Sequence, residues 1–179
     1  MYLAIDIETT GLDPEKHQVL EIGAVMYQPG KAIMECPTFR ALIEHDEYRG
    51  SAVALAMNHR LLQEIADVGG GTPGSASNKF RLWLFRHLPK DAKVHLLGKN
   101  VGSFDLQFLK RLPYWPVHQI HYRCLDVGSL WATPEGMKSQ AELEAILAED
   151  YNIPGEPHEA LYDARVSLAL AIFKWEHEE

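Results

Sequence analysis

Residues 3–12 read LAIDIETTGL, and no other stretch constrains the fold of this chain as tightly. Leu3, Ile5 and Ile7 mark an apolar strand entering a core, yet Asp6 and Glu8 interrupt it. Side chains two apart on a strand share a face, so both carboxylates point the same way. Two acids in a half-buried place repel each other and cost free energy unless a cation or strong donors offset them. Taken alone, the pattern fits equally a strand end whose acids reach water.

The rest of the chain shows what this strand belongs to. QVLEIGAVMYQ (18–28) reads as a second strand, after a Gly-, Asp- and Pro-bearing turn, and KAIMECPTFRALI (31–43) as a third. Pro37 implies an edge position or an irregularity in that third strand, because proline donates no ladder hydrogen bond. Short turns between the three predict an antiparallel meander. A helix is expected over 51–67 with Ser51 as its N-cap, followed by a flexible Gly/Ser-rich loop over 68–78. Helix is then expected at 79–88, strand at 93–100, helix at 102–112, strand at 121–130, and helices at 139–150 and 160–177. A meander followed by alternating strands and helices predicts an α/β fold with a mixed sheet flanked by helices.

Composition narrows the class. The chain has 179 residues, 46% of them hydrophobic, which suits a single domain over 1–179 with a sizeable core. With 25 acidic against 17 basic residues, no basic surface is expected to bind long duplexes. Bound metal ions can supply the missing positive charge at a local site. MYLAIDIE carries no basic leader, and no apolar run approaches the length of a membrane span. Cys36 and Cys124 have no ligand-like spacing and read as reduced thiols, so the expected location is cytoplasmic, away from membranes.

Two further stretches complete a pattern. NVGSFD (100–105) places Asp105 in the first turn of a helix after a strand end, where ligand sites of α/β sheets gather. HEALYDA (158–164) places His158 on an irregular segment after PGEP and Asp163 on the inward face of the following helix. The order Asp-x-Glu, Asn-x-x-x-Phe-Asp, His-x-x-x-x-Asp resembles the DEDDh family of 3′→5′ exonucleases. That family has a ribonuclease-H-like fold and includes the polymerase III proofreading subunit, ribonuclease T and oligoribonuclease. The resemblance covers Met1 to about residue 173. It implies a five-stranded mixed sheet, a three-stranded antiparallel meander plus two parallel strands.

The resemblance also implies the chemistry. Asp6, Glu8, Asp105 and Asp163 would hold two divalent ions, Mg²⁺ or Mn²⁺, since hard cations prefer oxygen ligands. Such a pair promotes in-line displacement at phosphorus. His158 would be the general base, a role that suits a side chain titrating near neutral pH. Leu12 would wedge against a terminal base or simply pack its turn. Asn100, Phe104, Met57 and His59 are further candidates for substrate contact, with Phe104 read as core before platform. Lys99, Lys110, Arg111 and Arg123 are weak candidates for phosphate contacts, and the four tryptophans read as core or interface.

Implied partners are single-stranded nucleic acid with a free 3′ end, and either a second copy, as in oligoribonuclease, or a polymerase or replication partner. The Tyr122-Arg123 pair before Leu-Asp-Val is similar to oligoribonuclease, whereas DIETTGL and Leu106 after Asp105 look like the proofreading branch. A non-catalytic docking module and a small-molecule phosphoesterase are the competing classes. All five motif positions are intact, which weighs against the first. No Walker-type phosphate loop is present to favour the second.

Overall fold

The computed structural model describes residues 1–133, 136–137 and 140–177. Strands β1 (Tyr2–Thr9), β2 (Val19–Met26) and β3 (Thr38–Leu42) form the antiparallel meander. Strands β4 (His95–Gly98) and β5 (Leu125–Asp126) add on parallel, giving the order β3-β2-β1-β4-β5. The mixed five-stranded sheet expected from the sequence is therefore present, with β3 at one edge. A two-stranded hairpin, β6 (Ala132–Thr133) with β7 (Gly136–Met137), was not anticipated.

Helices are α1 (Ala52–Met57), α2 (His59–Val68), α3 (Pro73–His87), α4 (Asp105–Leu109), α5 (Ala141–Asp150) and α6 (Ala160–His177). The alternation of β1 sorts its side chains between two cores. Leu3, Ile5 and Ile7 pack with Phe80 and Leu84 of α3 and with Phe108 and Leu109 of α4. Ala4, together with Val25 and Leu97, meets Ala164, Leu168 and Ala171 of α6. Asp6 and Glu8 follow Ala4 on that second face, so they project toward the start of α6. Gly23, opposite Asp6, lets α6 approach: a Cβ there would stand 2.1 Å from the Leu161 nitrogen.

Several boundaries differ from expectation, each for a local reason. Only Thr38–Leu42 of the third strand is extended, and Ile33–Glu35 forms a short 3-10 turn. Pro37 contributes its carbonyl, which accepts from Met26 N–H at 2.9 Å. Ser51 does cap its helix, accepting from Ala54 N–H at 3.1 Å, but the helix breaks at Asn58. The loop expected over 68–78 is much shorter: Thr72 accepts from Ser75 N–H at 3.2 Å, Pro73 opens α3, and Ser75–Asn78 are helical. A capping threonine followed by proline outweighs the low helix propensity of Gly and Ser. The helix over 102–112 contracts to α4, and the strand over 121–130 contracts to β5 followed by a 3-10 turn at Gly128–Trp131. Residue 139, expected to begin the next helix, lies outside the described residues.

The tryptophans are structural, as read. Trp115 stacks on Phe80 at 4.9 Å, and Trp175 lies against Tyr2 and Tyr27. Among the described residues no helix is long and apolar enough to cross a membrane.

Candidate active site

The four motif acids come from three separate elements. Asp6 and Glu8 lie on β1, Asp105 in the first turn of α4, and Asp163 in the first turn of α6. Asp105 is buried, and its Oδ1 accepts the backbone N–H of Ile7 at 3.1 Å, which ties α4 to the middle of the acidic strand. Asp163 Oδ2 accepts the backbone N–H of His158 at 2.9 Å. His158 itself is exposed and holds a positive φ of 71°, a strained conformation for a non-glycine residue. Among the described residues, Glu8, Asp163 and His158 each present a ligand-type atom within 4.8 Å of the others.

Charge in this cluster is poorly compensated. Burial raises the Asp6 carboxyl well above its usual range, and repulsion from Asp105, Asp163 and Glu8 adds to it, with only Lys99 opposing. Burial pushes Glu8 up to about 8, reinforced by Asp163 and Glu21 and resisted by the Asn58 side chain. Asp105 rises to about 7 through burial, against the pull of its backbone donors. Asp163 is raised for the same reason, against the His158 N–H. Lys99 is shared: its Nζ also reaches Glu144 on α5 at 2.7 Å. The four carboxyls thus resist ionisation in the metal-free protein, and among the described residues Glu8, Asp163 and His158 are grouped closely enough to hold a metal ion.

The remaining candidates spread around this cluster. Leu12 is 81% exposed at the tip of the turn after β1, so it does not pack its turn in the manner of a core residue. Met57 (54% exposed) and His59 flank Asn58 at the α1–α2 break, and they line one cavity of about 300 Å³ together with His158. Asn100 is exposed with a φ of 53°; its N–H donates to Asp126 Oδ1 and its carbonyl accepts from Phe104 N–H. It shapes the turn that leads into Asp105. Phe104 packs on Phe108 at 5.1 Å at the edge of the core. Of the basic candidates, Lys99 adjoins the acids, while Arg111 reaches Glu15 at 3.6 Å and Arg123 lies over Tyr122.

Two residues beside the site were not singled out from the sequence. Asn58 is buried, donates to the Thr9 carbonyl at 3.1 Å, and lowers the Glu8 carboxyl against the effect of burial. Glu21, wholly buried, is paired with Arg40 and accepts the Ala160 N–H at 3.0 Å. The lone acid inside QVLEIGAV was the available signal for Glu21.

Known proteins resemble the chain along nearly its full length. The RNase T exonuclease family model matches residues 3–171. Oligoribonuclease of Shigella flexneri is 28% identical, with 97% of this chain and 92% of that protein covered. The 3′-5′ DNA exonuclease Cap18 of Escherichia coli is 25% identical, with 95% and 89% covered. The fold is shared with the nuclease domain of 3′hExo, a DEDDh family member solved with rAMP, at a TM-score of 0.69 and 18% identity over 98% and 91% of the two chains. Escherichia coli exonuclease I, solved with an oligonucleotide, shares the fold at a TM-score of 0.68 and 16% identity over 99% of this chain. The chain spans only 41% of that longer protein.

Proposed function

This chain belongs to the RNase T exonuclease family and is a 3′→5′ exonuclease, and we propose that it trims single-stranded DNA or short RNA from a free 3′ end, releasing nucleoside 5′-monophosphates. The observation that carries this reading is geometric: Glu8, Asp163 and His158 bring ligand-type atoms within 4.8 Å of one another, Asp6 shares the strand face of Glu8, and Asp105 accepts the N–H of Ile7 between them. Those four residues would hold two divalent ions, Mg²⁺ or Mn²⁺. Bound there, the ions would supply a nucleophilic water and neutralise charge at the scissile phosphate.

The chain's own residues account for the other requirements. His158 accepts a proton from the attacking water onto an imidazole nitrogen, and its backbone N–H on Asp163 fixes where the ring begins. The water oxygen bonds to phosphorus, the bond from phosphorus to the preceding nucleotide's 3′ oxygen breaks, and that oxygen becomes the new 3′ hydroxyl. Leu12 supports the terminal base, since an exposed apolar side chain at a loop tip gives sequence-tolerant van der Waals contact with a base face. Met57 and His59 line the cavity that His158 also borders. An excess of acidic residues provides no long-range attraction for duplexes, which favours short or unpaired ends. An oligoribonuclease and a DNA exonuclease match at comparable identity, so both sugars belong in the test.

The test uses 5′-labelled single strands of DNA and RNA, blunt duplexes, 3′-phosphorylated strands and circular single strands, with Mn²⁺ or with EDTA. Stepwise shortening of the free single strands, dependent on Mn²⁺ and blocked by a 3′-phosphate, is the expected result. Equally fast cleavage of circles would refute the proposal.

A further inference from the structure

Glu21 is the buried acid beside the site that the proposed chemistry does not use. It stands directly opposite Glu8 across the β1–β2 ladder, so both carboxylates project toward the start of α6. Their surroundings differ completely. Glu21 Oε1 takes Arg40 Nε and its Oε2 takes the Ala160 N–H at 3.0 Å, and its side chain has no solvent exposure. Arg40 in turn grips Glu64 of α2 through both terminal nitrogens, at 2.7 and 2.8 Å. Among the described residues Glu8 has no arginine or lysine ion pair, and it instead groups with Asp163 and His158. Of two neighbouring acids on one face, one is already neutralised by protein groups and the other is left open.

We infer that Glu21 is a positioning residue that seats the first turn of α6 and thereby sets Asp163 and His158; the inference rests on the roles proposed above for those two. Ala160 lies two residues after His158 and three before Asp163. The segment between them is closed by His158 N–H on Asp163 Oδ2 at 2.9 Å and by Asp163 N–H on the Glu159 carbonyl at 3.0 Å. Displacing Ala160 therefore moves both functional side chains together. The same turn lies close over the sheet, since a Cβ built on Gly23 would stand 2.2 Å from the Ala160 carbonyl carbon. Through Arg40 and Glu64 the same carboxylate ties α6 to α2, which carries His59 on the wall of the cavity that His158 also lines.

A carboxylate is required rather than an amide. Glutamine offers one acceptor oxygen, whereas Arg40 and the Ala160 N–H both need one. In Glu21→Gln the amide nitrogen would face a second donor, so one contact is lost while shape and volume are kept.

The experiment compares the wild-type chain with Glu21→Gln, Glu21→Ala and Asp163→Asn. Amide hydrogen exchange is followed in EDTA, and steady-state kinetics on a labelled single strand in Mn²⁺. In Glu21→Gln the Ala160 amide should exchange about tenfold faster, the scale of one lost hydrogen bond, while Leu170 and Ala171 keep their protection. Turnover, kcat, should fall about tenfold to a hundredfold, with KM within about twofold, as expected for a shift of reacting groups. Glu21→Ala should lose at least as much, and if it does not fold the glutamine variant still decides. Wild-type kcat in Glu21→Gln overturns the inference, as does faster exchange along the whole of α6 in Glu21→Gln or failure of that variant to fold, since either makes Glu21 a stability residue. Full activity in Asp163→Asn overturns the functional reading instead, and the Ala160 exchange rate still tells whether Glu21 seats the helix.

Discussion

Neutralising Glu8 should make the metal-free protein more stable at alkaline pH, which is the reverse of what removing a buried polar partner normally does. Burial and repulsion from Asp163 and Glu21 move this carboxyl from 4.5 to about 8. A folded-state value above the unfolded one means that the native state holds the proton more tightly. The associated stability is fully present below pH 4.5 and is lost as pH rises through about 8. One decade in an ionisation constant is worth about 1.4 kcal/mol, so a fully dry carboxyl moved this far would cost of order 5 kcal/mol. Glu8 is half-buried, and the water it keeps reduces the effect to about 1–3 kcal/mol. In a chain of this length that corresponds to a rise in Tm of about 2–10 °C. The assay is thermal melting in EDTA at half-unit steps from pH 4 to 9, for wild type and Glu8→Gln. The variant should gain on the wild type progressively between pH 5 and 8 and show no advantage at pH 4. It retains a shallower slope from Asp6, Asp105 and Asp163, whose carboxyls are raised as well. Parallel curves for the two proteins across this range would refute the electrostatic account of the site.

Mn²⁺ should raise the Tm of the wild type by mass action, and by clearly less in Asp6→Ala, as read by melting at increasing metal; equal rises would place the ions elsewhere. Asp163→Asn should lose activity by more than a hundredfold while melting at or above the wild-type temperature in EDTA, because it relieves repulsion; a lower Tm with retained activity contradicts this. His158→Ala should lower kcat far more than it shifts the Mn²⁺ midpoint, and comparable losses would make His158 a ligand instead of a base. Leu12→Ala should leave stability within about 0.5 kcal/mol, since the side chain is 81% exposed, yet weaken single-strand binding by about 1–2 kcal/mol, the scale of a few buried methyl groups, in a fluorescence titration. Gly23→Ala should destabilise the fold by at least about 1–3 kcal/mol in urea, because its Cβ would meet backbone atoms of α6 that cannot swing aside.

Much of the architecture was legible in the chain because periodicity and burial are coupled. The alternation of Leu3, Ile5 and Ile7 with Asp6 and Glu8 announced one strand with two differently served faces, and the meander followed from short Gly/Pro turns. Where local rules competed, reading the chain in one dimension misplaced boundaries. Thr72-Pro73 outweighed a run of Gly and Ser, and Asn58 broke a helix whose apolar spacing ran on through it. Strand β5 is two residues long because it pairs only with Leu97 and Gly98, a limit set by its neighbour and invisible in HYRCLDVGSL.

The motif acids and His158 could be proposed from residue type and order alone, since hard oxygen donors and an imidazole suit the chemistry their pattern implies. Their cooperation was decided by tertiary structure. Asp6 and Asp105 are 99 positions apart in sequence, and Glu8 and Asp163 come together only because α6 lands on the face opposite α3. The same packing gave two adjacent acids unlike fates: Glu21 is met by Arg40 and the Ala160 N–H, and Glu8 is not. Sequence specifies which groups can ionise, but the energy of each charge depends on what stands within a few ångströms of it, and that is set by packing between distant segments.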